Sequence, residues 1–224
     1  MDLNPAGAER SYAHGVSGGQ QVGDAEVNGK AHASLWSGTA QTWVDLNPAG
    51  ATRSFANGVS GGKQVGYATF GGKTHAGMWS GTAASWVDLN PSGATESFAG
   101  GICGGRQVGH AEDAGLWSGT ADSWVDLHPL GATESHAYGV SGGKQVGHAK
   151  IGGNDHAGLW SGTAESWVDL HALLPAGRYS YSTAGGVDVR AGEILVRGIA
   201  TTTAKDESEY VYVVWHYVPE PSPK

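Results

Sequence analysis

The sequence has little of several features that would point to a particular class of protein. It contains one cysteine, Cys103, so no disulfide can form within the chain. It has no run of about 18 apolar residues, the length that a membrane-spanning helix requires, and Met1 opens no recognisable signal peptide. Charged residues make up only 15%, with a formal net charge of −8. This charge balance argues against a broad basic surface for nucleic acid.

Short catalytic and metal-binding motifs are also missing from the sequence. There is no GxSxG, no phosphate-binding loop, no HxH or HExxH spacing and no paired-carboxylate motif. Cys103 stands where other parts of the chain have Ser17, Ser60 and Ser141, so we expect a buried small residue and not a nucleophile. The sequence therefore predicts no enzyme activity, no metal and no cofactor.

What the chain does contain is glycine, at 38 residues, and large flat side chains, with nine Trp and eight Tyr beside three Phe. Such a composition is typical of a β-rich protein with many turns. Hydrophobic residues account for 39%, which argues against disorder.

An internal repeat of about 40 residues runs through the sequence. Trp43-Val44-Asp45-Leu46 recurs at residues 86–89, 124–127 and 167–170, and Asp2-Leu3-Asn4-Pro5 matches the Asp-Leu-Asn-Pro part of the same element. Within each unit, Gly-Gly and Ser-Gly pairs separate four short segments with strand character. The unit that begins near residue 179 carries only three such segments.

These observations predict an all-β, five-bladed β-propeller of four-stranded antiparallel blades. Its closing step is the N-terminal strand at residues 1–5, which would complete the last blade and remove an open sheet edge. An open superhelical array is the main competing architecture. The predicted single domain spans residues 1–217, residues 218–224 form a tail, and the blades cover approximately 10–48, 53–91, 96–129, 134–171 and 179–217.

Residues that return in every unit are expected to be architectural. A bulky Trp of one blade is predicted to lie over a flat glycine–alanine patch of the next, and each repeated Asp is expected to cap the turn that follows it. His32, His75 and His156 are read as hydrogen-bonded repeat residues, with Asp113 and Tyr210 at that position in the third and fifth units. The structural set comprises Trp36, Trp79, Trp117, Trp160, Trp215, Asp45, Asp88, Asp126 and Asp169.

Positions that differ between units are better candidates for recognition. One position in the first strand carries His14, Asn57, Gly100, Tyr138 and Gly185 in turn. If the first strands line a central channel, His14, Asn57 and Tyr138 are candidate ligand-binding residues at one channel mouth. The alternative is an exposed position that varies without a function.

Two resemblances extend this interpretation. The pattern of Gln64–Ala68 with His75–Trp79, and of Gln145–Ala149 with His156–Trp160, resembles the HAF-type extracellular repeat of bacteria. The likeness covers residues 11–170 well and 182–217 loosely. In addition, Val218-Pro219-Glu220-Pro221-Ser222 resembles the start of a PEP-CTERM sorting signal of exported proteins. Together they imply an extracellular or cell-surface location in a bacterium and no particular activity.

Three functional hypotheses follow. The first is a non-enzymatic, exported binding or scaffold module with lectin-like, multivalent recognition of carbohydrate or another surface component. The second is a purely structural repeat module of a surface or matrix. The third is an enzyme with its site at one channel mouth, which rests on fold analogy alone. The sequence predicts no nucleic-acid partner and no membrane span, and it leaves the oligomeric state open.

Overall fold

The protein is built from five antiparallel sheets of three or four strands. We describe it from a computed structural model, which covers residues 2–203 and 209–218. Four sheets have four strands each and the fifth has three. This confirms the all-β class, and the repeated sheets with one common strand order are consistent with a propeller-like repeat.

Strand bounds recur with the period of the sequence repeat. The first sheet holds β1 (Ser11–Ser17), β2 (Gln20–Val27), β3 (Lys30–Trp36) and β4 (Val44–Asp45); the second holds β5 (Arg53–Ser60), β6 (Lys63–Phe70), β7 (Lys73–Trp79) and β8 (Val87–Asp88). The third holds β9 (Phe98–Cys103), β10 (Arg106–Ala111), β11 (Asp113–Trp117) and β12 (Val125–Asp126). The fourth holds β13 (Ser135–Ser141), β14 (Lys144–Ile151), β15 (Asn154–Trp160) and β16 (Val168–Asp169); the fifth holds β17 (Tyr179–Arg190), β18 (Glu193–Thr202) and β19 (Tyr210–Tyr217).

The chain divides into two compact units. One comprises Met1–Glu112 with Leu116–Trp124, and the other comprises Asp113–Gly115 with Val125–Lys224. In each of the first four sheets, a one-turn 3-10 helix joins the third strand to the short fourth strand, at Ala40–Thr42, Ala83–Ser85, Ala121–Ser123 and Ala164–Ser166. Another such helix, His171–Leu173, follows the fourth sheet.

Gly-Gly pairs close the first hairpin of each of the first four sheets. At Gly61 and Gly62 the φ angles are 57° and 75°. Positive φ at both central residues is the geometry of a type I′ turn, which only glycine adopts without strain. The hairpin turn predicted at these pairs is therefore confirmed.

The indole of Trp79 packs against the sheet that precedes it. It belongs to one buried cluster with Val22, Ala33, Leu35 and Leu46 of the first sheet and with Ala56 and Val59 beside it. Trp117 and Trp215 occupy the same place in the clusters that they form with the second and fourth sheets. The prediction that each Trp lies over a glycine–alanine patch is wrong, because these indoles pack with Val, Ala and Leu side chains.

The glycines of the second strands serve the pairing within their own sheet. A Cβ built on Gly66 would lie 1.9 Å from the carbonyl oxygen of Phe55 in the neighbouring strand. Gly23, Gly109, Gly147 and Gly198 have the same close approach at 1.8 to 2.0 Å. A side chain at these positions would force the first strand away.

In the second, third and fourth repeats a second Trp packs on the first, and the residue beneath the second indole limits how closely it can approach the strand. The rings of Trp79 and Trp86 are 4.7 Å apart, and a Cβ on Gly77 would meet the Trp86 ring at 1.9 Å. The first sheet has Ser34 at this position, and there the Trp43 indole N–H donates to Ser34 Oγ at 2.9 Å. The small residue therefore sets how closely the second indole approaches the strand.

Buried serines fasten the turn after one sheet to the first strand of the next. Ser54 Oγ accepts from the backbone N–H of Ala33 at 2.9 Å and donates to Asn47 Oδ1 at 2.7 Å. Ser97 makes the corresponding pair of bonds with Ala76 and Asn90. Each serine thus satisfies an otherwise unpaired buried amide of the preceding sheet.

A hydrogen bond from a backbone N–H to a side chain lies within residues 2–5. Asn4 N–H donates to Asp2 Oδ1 at 2.9 Å, as Asn47 N–H donates to Asp45 Oδ1 at 2.8 Å. Asp2–Pro5 form no strand, and Met1 lies outside the described residues. The predicted closing strand is not among the strands that the structure describes.

The structure has five separate hydrogen-bonded sheets, and no strand pairing among the described residues joins residues 2–5 to the fifth sheet. The five-bladed ring therefore stays a prediction. No helix in the described ranges is long and apolar enough to cross a membrane.

We expect Trp79→Ala to lower the free energy of unfolding by about 3–5 kcal/mol, because it empties a fully buried cluster. Thermal or chemical denaturation followed by circular dichroism measures the change. Tyr12→Ala, which truncates an exposed aromatic residue of the same unit, is the control and should cost far less. A Trp79→Ala protein that melts with the wild type would contradict this packing.

Gly77→Ala should destabilise the protein by roughly 1–3 kcal/mol, since its methyl group would overlap the Trp86 ring. Gly185→Ala is the matched control, because a Cβ there meets nothing within 4 Å. Urea denaturation of both variants provides the comparison. Equal loss of stability in the two variants would show that steric overlap is not the cause.

Candidate functional site

Each sheet carries a β-bulge in its first strand, and the extra residue is the variable position found in the sequence. The pairing shifts between Ala13 and Gly15, so that His14 has no partner across the strand, and it shifts in the same way in the other sheets. The bulged residues are His14, Asn57, Gly100, Tyr138 and Gly185. A bulge bends the strand and redirects its side chain, which is a common device at binding sites.

The three bulged residues with large side chains make different contacts. His14 Nε2 lies 2.7 Å from Asp24 Oδ1. Asn57 Nδ2 donates to the carbonyl of Ala99 at 2.9 Å, which ties the second sheet to the third. Tyr138 lies beside His148, with ring centroids 5.5 Å apart. His14 and Asn57 therefore lie in the first unit and Tyr138 in the second.

A surface cleft of about 490 Å³ brings His14 and Asn57 together in the first unit. Its walls combine aromatic and polar side chains, namely Arg10, Tyr12, His14, Asp24, Glu26, Phe55, Asn57 and Tyr67. Arg10 is paired with Glu26, and Asp24 is held by His14. The cleft therefore offers flat apolar faces next to oriented hydrogen-bonding groups.

An aromatic row continues from this cleft across two sheets. Phe55 stacks on Tyr67 at 5.0 Å, and Tyr67 meets Phe98 edge-on at 5.0 Å. Phe98 in turn stacks on His110 at 4.9 Å. All four rings are partly exposed, and burial raises the pKa of Tyr67 above its ordinary value. The row presents ring surface that a planar or apolar ligand face can contact.

The second unit holds a histidine cluster at the corresponding positions. The rings of His136 and His148 stack at 5.2 Å, and Tyr138 packs beside them. Burial lowers the pKa of both histidines below 6.5. His148 Nδ1 is buried and has no hydrogen-bond partner in the part of the chain that the structure describes. This cluster therefore favours neutral imidazoles.

The repeated Asp and His residues pair with each other. His75 Nδ1 lies 2.7 Å from Asp88 Oδ2, while Asp88 Oδ1 accepts from the N–H of Asn90 at 2.8 Å. His32 with Asp45 and His156 with Asp169 repeat this pair. Asp126 Oδ1 caps the N–H of His128. Each carboxylate is thus engaged in closing a turn, and the pairs belong to separate sheets.

The third and fifth sequence repeats depart from this pattern. In the third repeat the aspartate and the histidine exchange places. Asp113 stands at the histidine position and lies 2.8 Å from Nδ1 of His128, which stands at the asparagine position. In the fifth repeat Ala200 pairs with Val211, just as the equivalent Ala68 pairs with His75 in the second repeat. Val211 therefore stands at the histidine position. The assignment of Tyr210 to the histidine position is therefore wrong by one residue.

Sequence reasoning missed the aromatic row and misjudged Cys103. Tyr12, Phe55, Phe98 and His136 hold one position two residues before the bulge, so an alignment of the units with a bulge included would have found it. Cys103 is a free thiol at the end of β9 and is partly exposed, not buried. Within residues 2–203 and 209–218, no group of three or more His, Cys, Asp or Glu side chains is placed to hold a metal ion.

Comparison with known proteins returned no relative: no family model matches the chain, and no curated protein matches it.

We expect stability to fall as the pH drops below about 6.5, the ordinary pKa of histidine. The folded state holds His136 and His148 at lowered pKa values, so the unfolded chain binds protons first and gains stability as it does. The loss of stability is absent above this pH. It grows as the pH falls, until the pH is below the pKa values that His136 and His148 have in the folded state. Denaturation midpoints across this range measure it.

His148→Tyr isolates the cause, because Tyr67 already stands at this position in the second sheet. The variant should show a shallower acid dependence, while Glu134, Lys150 and Asp155 around the site stay in place. His171, whose pKa burial also lowers, leaves a residual slope in the variant. An unchanged acid profile in His148→Tyr would show that other groups carry the effect.

Proposed function

We propose that this chain is a non-enzymatic binding module that recognises carbohydrate in a lectin-like way beside the bulges in the first strands of its sheets. The observation that carries the proposal is the cleft of the first unit, where Tyr12, Phe55 and Tyr67 lie beside His14, Asp24 and Asn57. The resemblance to HAF-type repeats and to a PEP-CTERM signal supports export to the bacterial cell surface as part of the same proposal.

The chemistry of the cleft suits a sugar ring. A pyranose has an apolar face that packs on aromatic side chains and hydroxyl groups that need donors and acceptors. Tyr12 is 54% exposed, which leaves its ring available for such contact. The carboxylate of Asp24 is oriented by His14, and the Asn57 side chain is oriented by its bond to Ala99. Oriented polar groups lose little freedom when they bind.

The repeat supports several related sites. Every sheet carries the bulge, and a repeated weak contact gains strength when several engage one polymer. The bulged residue differs from sheet to sheet. The second-strand residue that pairs with the position two before the bulge differs too, as Asp24, Tyr67, His110 and His148 show. We therefore expect sites of unequal affinity.

Catalysis is not part of the proposal. The His and Asp pairs that resemble catalytic dyads are repeated in three sheets, and each Asp also caps its turn. Residues that recur for architecture are poor candidates for a single reaction centre. A catalytic site at one channel mouth would require several such groups to lie close together. Within each compact unit, the pairs belong to separate sheets.

We also propose that the sheets form a five-bladed propeller closed by residues 1–5. The common strand order and the Trp packing between consecutive sheets support it. No strand at residues 2–5 is described beside the fifth sheet. The binding proposal uses only the cleft and is independent of the ring.

Titration with oligosaccharides by calorimetry, after a glycan array has selected them, tests the function. We expect Tyr12→Ala to weaken binding about fivefold, which corresponds to about 1 kcal/mol of lost ring contact. Asn57→Gly should weaken it as well and should fold normally, because glycine already stands at the bulge in the third and fifth sheets.

Tyr212→Ala is the matched control, since it removes another exposed tyrosine that does not line the cleft. It should leave the affinity unchanged. An array without hits, or a loss of affinity that is the same in Tyr12→Ala and Tyr212→Ala, would refute carbohydrate recognition by this cleft. Concentration-dependent assembly without any small-molecule binding would instead support the structural-module hypothesis.

A further inference from the structure

The second strand of the first sheet carries two acidic residues at positions where no other sheet has two. Asp24 and Glu26 lie on either side of Ala25 in β2, so their side chains point to the same face. The corresponding residues of the other four sheets are Tyr67 and Thr69, His110 and Glu112, His148 and Lys150, and Ile199 and Thr201. The first sheet is therefore the one sheet with a carboxylate at both positions.

Both carboxylates line the cleft of the first unit next to Tyr12. Tyr12 pairs directly with Asp24 across β1 and β2, so the two side chains are neighbours on one face of the sheet. Arg10 and His14 lie two residues before and after Tyr12, and they contact Glu26 and Asp24 respectively. The exposed Tyr12 ring is therefore bordered by two acid–base pairs.

The lining of this cleft carries more negative than positive charge. With His14 neutral, Arg10 is the one cation against the two anions Asp24 and Glu26, which leaves one negative charge. The side chains of Asp24 and Glu26 are only 10% and 21% exposed, whereas those of His14 and Arg10 are 40% and 64% exposed. The negative charge is thus the more buried part of each pair, and water screens it less.

The influence of Asp24 extends to the side of the cleft that the second sheet forms. Phe55 and Tyr67 line the cleft there. Burial raises the pKa of Tyr67, Arg53 lowers it, and the negative charge of Asp24 raises it again. Arg53 lies outside the cleft lining and donates its Nε–H to Thr69 Oγ1 at 3.3 Å. A cation that enters the cleft therefore meets both a carboxylate and aromatic rings, which attract positive charge.

We infer that the cleft of the first unit prefers a carbohydrate that carries a protonated amino group, such as an oligomer of 2-amino-2-deoxyglucose. This inference rests on the carbohydrate recognition proposed above and specifies its substrate class. The sugar ring packs on Tyr12, and its ammonium group donates charge-assisted hydrogen bonds to Asp24 and Glu26. The fourth sheet, with His148 and Lys150 at the two positions, has no such pair of carboxylates there.

The test compares four oligosaccharides of equal length and linkage by calorimetric titration of the full chain at pH 7 and low ionic strength. Their units are glucose, 2-amino-2-deoxyglucose, its N-acetylated form and glucuronic acid. We expect the amino oligomer to bind roughly tenfold more tightly than the glucose and N-acetylated oligomers, because only its amine is charged. The glucuronic acid oligomer should bind most weakly, and added salt should reduce the preference for the amino oligomer.

Variants of the two carboxylates locate the preference in the cleft. Asp24→Asn removes the charge and keeps an acceptor oxygen for His14, and Glu26→Thr introduces the residue that the second sheet has as Thr69. In each variant the ratio of the affinities for the amino and glucose oligomers should fall to about threefold or less. Asp122→Asn is the matched control, because it removes an exposed carboxylate of the same unit outside the cleft and should keep the ratio.

The outcomes separate this inference from the proposed function. Equal affinity of the wild type for the amino and neutral oligomers overturns the inference and leaves carbohydrate recognition in place. A preference that persists in both Asp24→Asn and Glu26→Thr, with circular dichroism showing folded proteins, also overturns it. Absence of binding by all four oligomers overturns both.

A simple amine separates recognition of the sugar from recognition of its charge. Butylammonium has the positive charge without the sugar ring and should bind far more weakly than the amino oligomer, because it has no pyranose face to pack on Tyr12. Binding of butylammonium as tight as that of the amino oligomer would show that the charge alone is recognised, and it would overturn the assignment to a carbohydrate.

Discussion

The structure depends on the burial of a large indole against the sheet that comes before it in the chain. Trp79 is in contact with the Val22, Ala33 and Leu35 cluster of the first sheet and is fully inaccessible to water. A Trp side chain buries about 150–250 Å², and a sheet must bury its apolar face against another element. Trp117 and Trp215 pack in the same way on the second and fourth sheets, so each of these sheets is stabilised by the indole of the repeat that follows it.

Glycine makes this stacking compatible with the bulges. Gly66 lies so close to the Phe55 carbonyl that no side chain fits, and this close approach occurs next to the bulged Asn57. The bulge in turn directs one side chain per sheet away from the regular alternation of the strand. The feature that varies between repeats is therefore held in place by a feature that does not vary. This arrangement lets the bulged residue change without any change in the packing.

Much of the architecture could be predicted from the residues alone. The Gly61-Gly62 hairpin and the four strands of each of the first four sheets follow from turn chemistry and from the repeat of Trp-Val-Asp-Leu. The fourth strand predicted for the fifth sheet is not among the described strands. The site could not be predicted in the same way. The contact of Tyr67 with Phe98 joins residues of two sheets, and their closeness depends on how the sheets stack. The bed of Trp79 was misread for the same reason, since alternation within one strand does not say which face of a neighbour it meets.

The sequence by itself determined the local order of this protein: where strands end, where glycine turns the chain, and which residues return in every unit. These properties depend on φ preferences and on spacing, which act between residues that are near each other in the chain. Only the tertiary structure decided which side chains share a cleft, that Asp88 contacts both His75 and the following turn, and that no strand of the described ranges pairs with the outer edge of β19. These properties arise from contacts between segments distant in sequence, and such contacts exist only once the sheets have packed.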